Sequence, residues 1–125
     1  MSRQVGRQAA HKYPRMARVN EVLREVLADA IETAAGTDER LELVTVTAVQ
    51  CDPDLRHATV FLDTLSEPAG QALSEARPRL QAAIAHQVRM KRTPQLSFVA
   101  DPAVAYGERV EKLIRDLKST GELGD

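Results

Sequence analysis

The chain has 125 residues, 43% of them hydrophobic and 28% charged, with one cysteine, no tryptophan and a formal charge of −1. That length suits one domain burying about two-thirds of its unfolded surface, and the mixture is ordinary for a soluble globular protein. It excludes an internal disulfide, a membrane span of about 20 apolar residues and a signal peptide with an apolar core, so the expected compartment is the cytoplasm.

Residues 1–12 form a polar, basic stretch without hydrophobic period, expected to be a flexible arm. From Pro14 the pattern changes. Met16, Val19, Val22, Leu23, Val26, Leu27, Ala30, Ile31 and Ala34 recur at three- and four-residue steps, which predicts a helix with one apolar stripe ending near Gly36. Leu43 to Val49 reads as a strand with Val44, Val46 and Ala48 on one face. Ala58 to Leu65 reads as a second, with Ala58, Val60 and Leu62 opposite Thr59, Phe61 and Asp63. The Asp52-Pro53-Asp54 turn between them predicts an antiparallel hairpin.

A helical period resumes through Leu73, Ala76, Leu80, Ala83, Ile84 and Val88, with Pro78 in its middle. An interior proline costs about 3 kcal/mol, so the expectation is two helices meeting at a bend near Arg77, with Pro78 opening the second. Leu96 to Ala100 alternates like a short strand. Val104 to Leu117 reads as a last amphipathic helix, with Val110, Leu113, Ile114 and Leu117 on its apolar side, before a loose tail over 119–125. Three strands with helices on one face make a single α+β domain over residues 13–118.

The near-neutral total hides a strong polarisation. Arg77, Arg79, Arg89, Lys91 and Arg92 fall between Ala76 and Ala100 with no acidic residue among them. Arg3, Arg7, Lys12, Arg15 and Arg18 do the same over residues 1–20. These stretches carry +10 and the remaining 80 residues −11. A compact positive face of this kind fits a polyanion. The bland account is a solvated face. Solvated helices, however, mix signs to gain i,i+4 pairs, as Glu108, Arg109, Glu111, Lys112, Arg115 and Asp116 do. With only Tyr13, Phe61, Phe98 and Tyr106 as aromatics, recognition is expected to rest on shape and backbone rather than on stacked bases.

Five segments, in order, carry a resemblance. They are Arg18-Val19-Asn20-Glu21, Thr45-Val46-Thr47-Ala48-Val49, Asp54-Leu55-Arg56-His57-Ala58-Thr59-Val60, Val88 to Phe98 (Val-Arg-Met-Lys-Arg-Thr-Pro-Gln-Leu-Ser-Phe), and Asp101 with Gly107. Over about residues 15 to 117 the chain resembles the bacterial ribosome-binding factor A family, which has a type II KH-like fold. That family bends its middle helices at an Ala-x-Gly. The matching positions here are Ala76, Arg77 and Pro78, and proline removes the amide that glycine would offer to RNA.

The resemblance implies a transient binder of the free 30S subunit and its 16S rRNA near the decoding region and the first helix of that RNA. Such a factor assists late maturation and RNA-end processing, and is associated with growth in the cold. It implies no catalysis and no cofactor. The expected partner is RNA, through Arg15, Arg18, Ala76, Arg77, Pro78, Arg79, Arg89, Lys91 and Arg92 of a monomer, with no metal, no membrane and no small-molecule substrate.

Two rivals belong to other classes: an adaptor docking an acidic protein on the basic face, and a hydrolase using Cys51 and His57. The second lacks a third group to orient the histidine. His11, His57 and His86 have no metal spacing, and Asp52 with Asp54 reads as a turn.

Overall fold

The computed structural model describes the backbone of residues 2–119 and the side chains of residues 15–119. Helix α1 (Ser2–Ala35) is followed by a short 3-10 turn (Glu39–Leu41) and strands β1 (Val46–Cys51) and β2 (His57–Leu62). Helix α2 (Glu67–Gln87), strand β3 (Gln95–Ala100) and helix α3 (Pro102–Ser119) complete the chain. The α1 backbone starts well before the expected Pro14. The side chains of the expected arm over 1–12, and the tail beyond Ser119, lie outside the described residues.

The sheet order is β1-β2-β3, with β1 antiparallel to β2 and β2 parallel to β3. Helices α1 and α2 cover one face: Leu23, Leu27 and Ile31 from α1, and Leu73, Leu80 and Ile84 from α2, meet Val60, Leu62 and Leu96 in one core. Ala34, Ala72 and Ala76 are buried with them, small residues that suit two helices sharing a three-stranded sheet.

Three local outcomes differ from expectation. Helix α2 is one element with Pro78 inside it, not two helices meeting at Arg77. Leu73, Ala76, Leu80 and Ile84 are buried on both sides of the proline, and each large apolar side chain contributes about 1.5–3 kcal/mol on burial. Together they outweigh the ~3 kcal/mol of an interior proline. Pro78 itself is exposed, where water can serve the carbonyl it leaves unpaired. Ser66 caps the helix, its Oγ accepting from the Ala69 amide at 3.2 Å.

The second difference is a register shift in β1 between Val46 and Ala48. The extra residue puts Val49, not Ala48, into the core beside Val46, so the simple alternation fails at that point. The third is α3, which buries none of its residues. Val110, Leu113 and Ile114 of its apolar stripe are exposed instead of packed on the domain. Its start is nonetheless held. Asp101 Oδ1 accepts from the Ala103 amide at 2.9 Å, and the Thr47 hydroxyl of the shifted segment donates to Asp101 Oδ2. No helix among the described residues is long and apolar enough to cross a membrane.

Candidate nucleic-acid interface

One end of the sheet gathers the basic residues. The β1–β2 turn closes there, with the Asp52 amide donating to His57 and the Leu55 amide to Asp52, each at 2.8 Å. The parallel register sets His57 beside Gln95, and the Gln95 amide donates to the Arg56 carbonyl at 2.9 Å. The segment 88–94, with Arg89, Lys91 and Arg92, therefore arrives next to the hairpin turn. Asn20 of α1 is tied to the same end, its Oδ1 accepting from the Cys51 amide at 2.9 Å. Arg18 and Arg15, both exposed, precede it on α1.

Arg77, Pro78 and Arg92 line a cleft of about 650 Å³ together with Arg56 from the hairpin. Gln81, Thr93 and Gln95 complete its walls. The Arg77 guanidinium lies over the Phe98 ring, 5.6 Å from its centroid, which holds the cation at the mouth of the cleft. Arg89 and Lys91 are both exposed on the adjoining segment.

Two expected contacts fall elsewhere. Arg79 faces the groove between α1 and α2, with Asp29, Thr33, Leu80 and Gln87, because two residues along a helix turn the side chain away from Arg77. Ala76 is 2% exposed and belongs to the core, so it spaces the helices and presents nothing to a ligand.

Arg56 is the residue that sequence reasoning passed over. It lay within the quoted Asp54-Leu55-Arg56-His57 segment, but outside the acid-free stretch that drew attention to the others. Its direction depends on Leu55, whose φ of 63° turns the chain out of the hairpin, a conformation no spacing rule assigns to leucine.

The basic residues of this end stand outside the ion pairs of the described residues. Among the described residues the ion pairs are Arg24 with Glu21, and Arg40 with Asp38 at 2.7 Å and Glu75 at 2.8 Å. Arg40 holds the Asp38 and Glu75 carboxyls below their ordinary values, chiefly by hydrogen bonding. None of Arg15, Arg18, Arg56, Arg77, Arg79, Arg89, Lys91 and Arg92 takes part in those pairs. Asp52 and Asp54 sit at the hairpin tip, and Asp54 is engaged by the Arg56 backbone amide at 3.0 Å.

Cys51 and His57 do not form a dyad. Cys51 pairs with Ala58 on the core face and is 4% exposed, and burial pushes its thiol pKa up. His57 is one residue earlier on β2 and so faces the other side of the sheet, where its Nε2 lies 2.7 Å from Ser97 Oγ.

The family model described as Ribosome-binding factor A matches residues 15–114. Ribosome-binding factor A of Rubrobacter xylanophilus is 41% identical over 116 residues, covering 89% of this chain and 92% of the relative. The crystal structure of ribosome-binding factor A from Thermus thermophilus superposes with a TM-score of 0.63 at 38% identity, covering 68% of this chain and 93% of that one. A homology model of the Thermus thermophilus factor, fitted into a cryo-EM map of its complex with the 30S subunit, gives 0.57 at 39% identity over 66% and 91% of the two chains. The chain belongs to the ribosome-binding factor A family.

Proposed function

We propose that this protein is a non-enzymatic assembly factor of the small ribosomal subunit. It binds free 30S subunits transiently through 16S rRNA, assists late maturation and RNA-end processing, and acts as a cytoplasmic monomer. The observation that carries the reading is the set of cations at one end of the sheet, outside every ion pair of the described residues, while Arg24 and Arg40 are paired elsewhere. An arginine already paired with a carboxylate has fewer donors left for phosphate than an unpaired one. Membership of a family whose Thermus thermophilus representative has been fitted into a 30S complex supports the same partner.

The contact surface consists of Arg77, Arg89, Lys91 and Arg92, extended by Arg56 and, along α1, by Arg15 and Arg18. Pro78 contributes shape but no amide donor. With about five phosphate contacts, log K falls with log salt at a slope of roughly −3 to −4 if the contacted RNA is single-stranded.

The test is gradient sedimentation with purified subunits. The wild-type protein travels with free 30S particles, and the variant carrying Arg89→Glu, Lys91→Glu and Arg92→Glu stays at the top while retaining its circular dichroism. A folded triple variant that still co-sediments removes this surface from the interface. Association that survives nuclease digestion of the RNA points instead to an adaptor that docks an acidic protein.

A further inference from the structure

Two residues that line the basic cleft each carry a polar atom with nothing to bond. Arg77 Nε and Gln81 Oε1, one helical turn apart on α2, are shielded from solvent and have no hydrogen-bond partner. Buried polar groups in native proteins are almost always satisfied, and an exception calls for an explanation. One of these atoms is a donor and the other an acceptor. A phosphodiester satisfies the donor only, having no proton to give. A ribonucleotide satisfies both, because its 2′-hydroxyl donates as well as accepts.

The walls agree with that ligand. Arg56, Arg77 and Arg92 converge from the hairpin, α2 and the segment before β3, none of them in the ion pairs described above. Thr93 adds a hydroxyl and Pro78 an apolar wall.

We propose that this cleft is a ribonucleotide pocket. Arg56, Arg77 and Arg92 take one phosphodiester of single-stranded RNA, and Gln81 accepts a hydrogen bond from the adjacent 2′-hydroxyl, so the site distinguishes RNA from DNA. The proposal rests on the RNA-binding reading above and adds to it a chemical preference and two residues, Arg56 and Gln81. Because both unpartnered atoms are shielded, Arg77 and Gln81 change rotamer as the ligand enters. That change exchanges an unmade donor and acceptor for made ones.

The experiment measures fluorescence anisotropy of labelled octauridylate and of the matching deoxyuridine octamer, which differ only at the 2′ position. The wild-type protein prefers the ribo-oligomer by about fivefold, the worth of one hydrogen bond. Gln81→Leu lowers its affinity for the ribo-oligomer by that factor and leaves the deoxy-oligomer within about twofold, whereas Arg56→Gln weakens both by about tenfold. Equal binding of the two oligomers by the wild type, or a ribo preference that persists in Gln81→Leu, overturns the pocket.

The same proteins are run on gradients with free 30S subunits. A wild type that fails to co-sediment overturns the ribosomal reading, while the ribo-to-deoxy ratio judges the pocket alone. The two failures are therefore separable.

Discussion

Leu55 holds φ at 63°, in the left-handed region where an L-residue other than glycine is strained by about 1–2 kcal/mol. Its side chain repays part of that by packing against the core, and its backbone sends Arg56 out of the hairpin toward the cleft. The usual order of substitutions should therefore invert here. Leu55→Ala loses the packing and keeps the strain, whereas Leu55→Gly loses both. After the extra chain entropy of glycine is subtracted, Leu55→Gly should be the more stable of the two by about 0.5–1 kcal/mol in urea unfolding. An alanine variant equal to or better than the glycine one would mean that the turn relaxes and that Arg56 is not held. The Asp52-Pro53-Asp54 turn was legible because proline and aspartate act locally. The place of Arg56 in the cleft was not, because it depends on a strand pairing, remote in sequence, that sets Gln95 beside the hairpin.

At the scale of elements, β2 and the part of α1 from Pro14 onward were readable since their apolar periods coincide with the faces they bury; the start of α1 at Ser2 was not, because its first residues carry no apolar period. In α2 a local rule and a global one conflicted. The proline suggested a break, and the stripe through Leu73, Ala76, Leu80 and Ile84, continuous across it, prevailed. Pro78→Ala restores one backbone hydrogen bond and removes the ring clash, against a loss of unfolded-state restriction. The expected net effect is about 2 kcal/mol of added stability, read as a higher urea midpoint with an unchanged slope. A destabilised variant would mean that the proline is accommodated by a distortion on which the core depends.

The apolar stripe of α3 was legible too, but a stripe identifies a face without supplying anything for it to meet. What secures α3 is its first turn, where Asp101 joins the helix amides to Thr47. The Thr47 hydroxyl, and then the Ala103 amide, lower the Asp101 pKa below its ordinary 3.8. A depressed folded-state value means that the unfolded chain binds the proton more readily. The contribution is complete above the unfolded pKa and is lost as the pH falls through 3.8 toward the folded value. Asp101→Asn should abolish that part of the acid dependence and lower α3 helicity by circular dichroism. Because α3 buries no residue, the urea midpoint of the core at neutral pH should hardly move. A large fall in the midpoint would show that α3 supports the domain after all.

Taken whole, the molecule is polarised along its strands. The end opposite the cleft holds the close of α1, the 3-10 turn and the start of α2, with Glu32, Asp38, Glu39, Glu42, Asp63 and Glu67. Arg40 is engaged there by Asp38, and reaches Glu75 farther along α2. The six-residue strands separate the two ends by about 20 Å, so salt decides whether one end feels what the other binds. The Debye length is about 8 Å at 0.15 M and about 30 Å at 0.01 M. Repulsion of RNA by the acidic end should therefore be felt at low salt and screened at physiological salt. Neutralising Glu39, Glu42 and Glu67 to glutamine should raise affinity for octauridylate several-fold near 0.01 M and leave it unchanged near 0.15 M. Neutralising Arg89, Lys91 and Arg92 should lower affinity at both, with a shallower salt slope, because on the proposed reading those residues displace counterions at the contact itself. If the glutamine variant alters affinity at 0.15 M, RNA reaches the acidic end directly. The protein would then lie along its ligand instead of standing on it by one end.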